Sequence, residues 1–433
     1  MTFKELLQKH TIIKCLLMCV SLFGSIAWVH QLLSPFMKVL LALGFAAVLY
    51  DIVRRRFFLK DPAFWLLMAF AASYCVSAFV NGGGQSGRAV RDMLYMVLLF
   101  CLLFAGQKES DADLERRERI VLAKAALVMM LVMVAACFAA YLALSPSTYV
   151  TADGTVGYIG ELDGRLAGLV HMNVIGAVSA MTVILCTGML VLGTGGLWRI
   201  VCAAAVALAT ATLVLSRSRT SILALAITFV CVLARYVIWA KMSSTSRLAA
   251  KKAAYSILTL AVGGIIAFVV YSAAKGTLAA AVSNAARYGD SLLTGRVSIW
   301  AEGLRFFAEH PFLGITVQNF AATAVVPIEY TWSGGGIHSL YVGVPVGSGL
   351  AGSALLTVFT VYCAVSGRRA RRMAAAAGED VMRAKYDGSW HLAGVMICFL
   401  LAQGFAESYL LFSLSFFAVI FWLCMGIRRR SSR

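Results

Sequence analysis

Apolar stretches of about 17 to 25 residues, separated by short charged or glycine-containing connections, recur from one end of this chain to the other. A helix of that length covers a hydrocarbon core of roughly 30 Å. Backbone facing lipid must satisfy its own hydrogen bonds, and stretches this long do so as helices rather than as the short strands of a barrel. Only 13% of the 433 residues are charged and 61% are hydrophobic, against about a quarter charged in soluble domains. The chain therefore reads as an all-α integral membrane protein with about 12 transmembrane helices. They cover residues 12–29, 33–53, 62–80, 90–106, 120–144, 166–192, 197–215, 220–240, 253–272, 339–364, 391–408 and 410–427. The organisation expected is spans 1 to 9 in residues 1–272, a large external loop with an amphipathic helix in 273–338, and spans 10 to 12 with a basic tail in 339–433.

A net charge of +18 raises the question of a nucleic-acid partner, but its distribution argues against one. Basic residues alternate between loops in the way that sets membrane orientation. With a cytoplasmic N-terminus, most of the 38 Lys and Arg face inward, including Arg54-Arg55-Arg56, Arg116-Arg117, Lys251-Lys252, Arg368-Arg369 and the terminal Arg428-Arg429-Arg430. Both termini are then cytoplasmic. The run Leu16 to Val29 is followed by a second span and not by a small-residue cleavage site, so it reads as a span rather than as an excised signal. The 11 cysteines fall within or at the edges of spans, where they act as small apolar residues and imply no disulfide framework.

Cytoplasmic loops are short, whereas two external segments are long, which places the working face outside. The first, Ser145 to Arg165, contains Pro146, Asp153-Gly154 and Asp163-Gly164, which read as turns. In the second, Ala273 to Ile337, the residues Ile299, Trp300, Leu304 and Phe307 recur at helical spacing before Pro311, predicting an amphipathic helix with Arg296 in its first turn. Gly334-Gly335-Gly336 precedes His338. Between two spans lies Ser216-Arg217-Ser218-Arg219-Thr220, and a guanidinium beside hydrocarbon costs roughly 2.5 to 3.5 kcal/mol without a partner. Arginines outnumber lysines across the external inventory. A planar guanidinium fork grips phosphate oxygens and keeps its charge at any relevant pH, so the skew points to phosphate recognition. Arg217, Arg219 and Arg296 are the main candidates, while Arg91, Arg287 and Arg305 are assigned to pairing with nearby acids or to headgroups. His338 opens a span with no second histidine near enough to share a metal. Its imidazole suits a general base, or a structural group at a helix start. His310, next to Pro311, and His171, inside a span, read as structural. No metal or cofactor site is expected.

His338-Ser339, nine residues, then Gly349-Leu350-Ala351-Gly352 fits a pattern of histidine, Asn/Ser/Gln, nine residues, glycine, two residues, and Gly/Thr/Tyr. In this the chain resembles the bacterial O-antigen ligases, which belong with the O-antigen polymerase-like membrane glycosyltransferases. Gly164-Arg165-Leu166-Ala167-Gly168 with Asn173, the turn at Arg217 and Arg219, and Arg296 through Trp300 to Pro311-Phe312-Leu313-Gly314 are similar to family segments in order and side. The resemblance runs mainly over residues 160–352.

It implies transfer of a preassembled glycan from undecaprenyl diphosphate to lipid A-core oligosaccharide, in the periplasmic leaflet of the bacterial inner membrane. Arg217, Arg219 and Arg296 would hold the diphosphate, and His338 would deprotonate the acceptor hydroxyl. Arg165 and Arg88 are further candidates for contact with donor or core phosphate. Many polymerase relatives carry an acid shortly before the motif's first glycine. Val344-Pro345-Val346-Gly347-Ser348 has none, which tilts slightly toward ligase; O-antigen polymerase and protein O-oligosaccharyltransferase, which use the same donor, are the alternatives within the family. The rivals outside the family are a metal-dependent oligosaccharyltransferase and a flippase for lipid-linked glycan.

Overall fold

The computed structural model describes residues 2–8, 10–55, 58–81, 83–105, 112–151, 156–162, 164–193, 195–242, 296–324, 336–376 and 388–430. The expected ninth span and most of the large external loop lie outside these residues. The helices are α1 (Phe3–Gln8), α2 (Thr11–Phe23), α3 (Ala27–Arg55), α4 (Pro62–Asn81), α5 (Ser86–Leu99), α6 (Ala112–Ala143), α7 (Met172–Val191), α8 (Leu197–Ser216), α9 (Arg219–Met242), α10 (Arg296–Glu309), α11 (Val317–Thr323), α12 (Leu340–Ala376), α13 (Gly388–Gln403) and α14 (Phe416–Arg430). Three short strands are β1 (Ser147–Val150), β2 (Val156–Leu162) and β3 (Arg165–Gly168). Among the described residues, six helices are long and apolar enough to cross a membrane, within α3, α4, α6, α7, α8 and α12. α2, α9 and α13 hold shorter apolar helices.

Two compact units divide the chain. The first holds residues 1–40, 114–278 and 387–403. At its centre α7 is buried along almost its whole length and packs on α8, α9 and α13. Glycines allow the close approach that helices in lipid use in place of a hydrophobic drive. At Gly176 an added Cβ would lie 2.4 Å from Ser218 Cβ. Lys14 and Glu118 form an ion pair in this unit that is almost fully buried, satisfying two charges that neither lipid nor packed side chains would tolerate alone.

Gly164 lies in a turn, as expected, whereas Asp153-Gly154 and Asp163 lie outside the described residues; the strands on either side of these positions were not foreseen. They form an antiparallel sheet in the order β1-β2-β3. Tyr149, Val150, Val156, Tyr158 and Ile159 are good strand formers whose backbone groups pair across the hairpin, and an irregularity at Gly160, with φ near +70°, ends the regular register. The sixth span consequently starts later than expected, at Met172 rather than residue 166. His171 is not inside it but at its N-cap, where Nδ1 accepts from Asn173 N–H. The first span is also shorter than expected, because Gly24 closes α2 and α3 begins at Ala27.

The second unit holds residues 41–113, 279–386 and 404–433. Its central element, α12, runs through Pro345 and is broken at Gly349, where φ is +62°. The freed backbone groups are taken up by the segment between α10 and α11. Ile315 N and Thr316 N donate to Val346 O and Gly347 O, while Leu350 N and Ala351 N donate to Pro311 O and Phe312 O. Irregular backbone inside an apolar bundle is tolerable only when satisfied in this way. α4 and α5 hold the same segment with side chains. Ser77 and Asn81 donate to Gly314 O, the Tyr74 hydroxyl bonds Gln318 and accepts from Val317 N, and Gln318 donates to Asp92. The last two expected spans are corrected too. Helix α13 stops at Gln403, residues 404–415 are non-helical, and α14 starts at Phe416.

Candidate functional site

Three side chains meet in the second unit at the non-helical segment 404–415. Glu407 is almost fully buried there. Its Oε1 accepts from Arg296 NH2 at 3.0 Å, and its Oε2 lies 3.4 Å from His338 Nδ1, within reach of an N–H on that atom. The Tyr409 hydroxyl adds a third hydrogen bond to the same carboxylate. Burial alone would raise the Glu407 carboxyl. The hydrogen bond from His338 and the charge of Arg296 outweigh it and hold the group below the usual carboxylate range.

Local structure explains why these residues converge. Arg296 opens α10, whose Ile299 packs with Ile315, Phe320, Ile337 and Val346 in one apolar cluster. Trp300, one turn on, donates its indole N–H to Ile337 O and sets its ring edge-on to Phe405. His338 follows with a left-handed backbone, φ 47°, a conformation uncommon outside Gly but more accessible to His, Asn and Asp than to most other residues. Ser339 then caps α12, accepting from Val342 N–H, which gives the second residue of the His-Ser motif a structural role. Leu340 N donates to Gly404 O, tying the start of α12 to the segment that carries Glu407. The ring nitrogen of His338 not turned to Glu407, Nε2, is enclosed and has no hydrogen-bond partner among the described residues.

A second basic cluster lies in the first unit. Arg217 caps the C-terminus of α8 in the left-handed conformation, φ 48°, and its guanidinium lies near Gly164, where an added Cβ would meet NH1 at 3.7 Å. Arg165, from β3, donates through Nε to Ser216 O at 3.0 Å and through NH2 to Arg217 O at 2.9 Å. It therefore satisfies carbonyls that the end of α8 leaves open. The hydroxyls of Ser218 and Ser221 bond each other, and Gln403 donates to Ser221. Arg219 is exposed as the first residue of α9.

Of the residues expected from sequence, the structure brings Arg296 to His338, by way of Glu407, and Arg165 to Arg217. Arg88 is exposed in the first turn of α5 and makes no hydrogen bond among the described residues. Arg91 pairs with Asp92, and Arg305 with Glu302 and Glu309, as their neighbours in sequence led one to expect. Glu407 and Tyr409 were missed. Glu407 sat inside an expected span and Tyr409 between two of them, and the available signal was an acid in an otherwise apolar run just after Gly404. Arg165→Met should lose two hydrogen bonds from a charged donor, each worth about 1.5 to 3 kcal/mol, and lower the thermal midpoint of the purified protein. A direct substrate contact by Arg165 would instead raise KM with stability unchanged.

Fold and site together define a multi-pass helical membrane protein in which a partly buried guanidinium and imidazole meet a buried carboxylate outside the helical spans. Residues 204–357, from α8 through the Arg217 turn, α10 and His338 past the break at Gly349, match the O-antigen ligase family. That family is associated with glycosyltransferase-like ligases, which supports an enzyme of that broad kind. No curated protein matches the chain.

Proposed function

We propose that this protein is an O-antigen ligase of the bacterial inner membrane, working at the periplasmic face with both termini in the cytoplasm. It transfers O-antigen polysaccharide from undecaprenyl diphosphate to lipid A-core oligosaccharide. The observation that carries this reading is the imidazole of His338, within the family-matched segment, with one nitrogen beside a buried carboxylate and the other without a partner among the described residues. In the reaction His338 Nε2 takes the proton of the acceptor hydroxyl while that oxygen bonds to the anomeric carbon. The bond from the anomeric carbon to the diphosphate breaks, and its electron pair leaves with undecaprenyl diphosphate. A single displacement of this kind inverts the anomeric centre.

Negative charge grows on the diphosphate as the bond breaks, so cations aimed at those oxygens act where catalysis needs them. Arg217, Arg219 and Arg296 take this role, with Arg88 a further phosphate contact. Arg165 joins them through Arg217, whose carbonyl it holds. The donor carries its own leaving group, so neither nucleotide nor metal is required.

The test is reconstitution of the purified protein with lipid-linked O-antigen and rough lipopolysaccharide, without nucleotide and with a chelator. A ladder of glycosylated lipid A-core is expected. Glycan extended on the polyprenyl carrier would make the protein a polymerase, and labelled donor crossing the bilayer without product would make it a flippase. In the same assay Arg217→Lys keeps the charge but loses the fork, and kcat/KM should fall roughly 10- to 100-fold. Unchanged turnover would show that fork geometry plays no part.

A further inference from the structure

We infer that Glu407 is a positioning residue: its carboxylate holds the His338 proton on Nδ1 and aims Arg296, leaving Nε2 to receive the proton of the substrate hydroxyl. This deepens the reading of His338 as the base and rests on it. An ionised carboxylate only accepts hydrogen bonds, so an imidazole nitrogen turned toward it must be the donor in the neutral ring. Nδ1 faces Glu407 Oε2, so the lone pair falls to Nε2, the nitrogen that is enclosed and unpartnered among the described residues.

The carboxylate is itself held. Its side chain is 2% exposed, and a charge that deep persists only with donors on it, here Arg296, His338 and Tyr409. Its backbone is pinned on both sides. Gly404 O accepts from Leu340 N, two residues after His338, while Ser413 and Ser415 hydroxyls donate to Tyr409 O. The same carboxylate takes one N–H of Arg296 and offsets its charge. The other N–H groups of Arg296 make no hydrogen bond among the described residues and are left for a ligand. One acid 111 residues from Arg296 and 69 from His338 thus sets the direction of both.

The experiment uses the full-length protein labelled with 15N-histidine in lipid nanodiscs, with the His338 resonances identified by their loss in His338→Gln. In the neutral ring the proton is expected on Nδ1. In Glu407→Gln, whose amide can also donate, the spectrum should shift toward the Nε2–H form. Transfer from lipid-linked O-antigen to rough lipopolysaccharide should fall at least about 100-fold, within the range for loss of an imidazole's orienting carboxylate. Glu407→Asp should recover part of the turnover and the native tautomer. A proton on Nε2 in the unmodified protein overturns the inference, whatever the variants do and whether or not they fold. So does Glu407→Gln with full turnover and an unchanged spectrum. Full activity in His338→Gln would instead sink the assignment of His338 as base, and the spectrum would still decide whether Glu407 positions the ring.

Discussion

Alanine in place of His338 leaves a protein that inserts and purifies normally but makes no glycosylated lipid A-core. General-base catalysis contributes about 100- to 10,000-fold in rate, or about 3 to 5 kcal/mol of barrier, and His338 is the imidazole that Glu407 holds. Folding should survive, because the loop is held by its neighbours rather than by the ring. Ile337 is packed in the cluster of Ile299, Ile315, Phe320 and Val346, and Ser339 caps α12 through its own hydroxyl. The left-handed backbone at His338 calls for a control, since alanine there adds strain that asparagine tolerates better. His338→Asn should be as stable as the parent and as inactive as His338→Ala. Product yield in reconstituted vesicles is the measurement, and wild-type yield from either variant would exclude a catalytic role.

Gly349→Ala prevents the second unit from assembling. The backbone at Gly349 sits at φ +62°, which costs an L-residue roughly 1 to 2 kcal/mol. The larger effect is steric. An added Cβ would lie 2.3 Å from Phe312 C and O and 2.5 Å from Leu313 N, which are backbone atoms with no side-chain freedom to yield. The segment 311–316 would have to lift from α12, and the four hydrogen bonds between them, from Ile315, Thr316, Leu350 and Ala351, would open inside an apolar bundle. Destabilisation above about 3 kcal/mol is expected, seen as lost monodisperse protein and a thermal midpoint lowered by more than about 5 °C. Equal stability of Gly349→Ala and the parent would refute the steric account. The glycine of the His-to-Gly motif is thus explained by the crossing of two backbones, not by chemistry at the substrate.

The membrane class of the protein and the approximate course of most described spans were readable from apolar runs, because the cost of leaving a polar or apolar segment in lipid is summed along the segment itself. The arginine turn and the helix after Arg296 were readable for the same local reason. The break at residues 404–415 was not. Hydropathy carried two expected spans through Phe405 and Leu410, although the chain there is drawn out of helix by contacts with Trp300 and Leu340. The sheet within 147–168 depends on pairing between strands, and the two bonds of Arg165 to the end of α8 depend on the meeting of β3 with that helix.

Residue types and their spacing along the chain determined that this protein lives in a membrane, that its guanidinium groups gather near certain turns, and that His338 begins a helix. Only the tertiary structure decided that a lone buried acid, Glu407, stands between Arg296 and His338. The reason is that transfer to lipid is an additive property of neighbouring residues, whereas a buried carboxylate is stable only where distant donors are brought to it by packing.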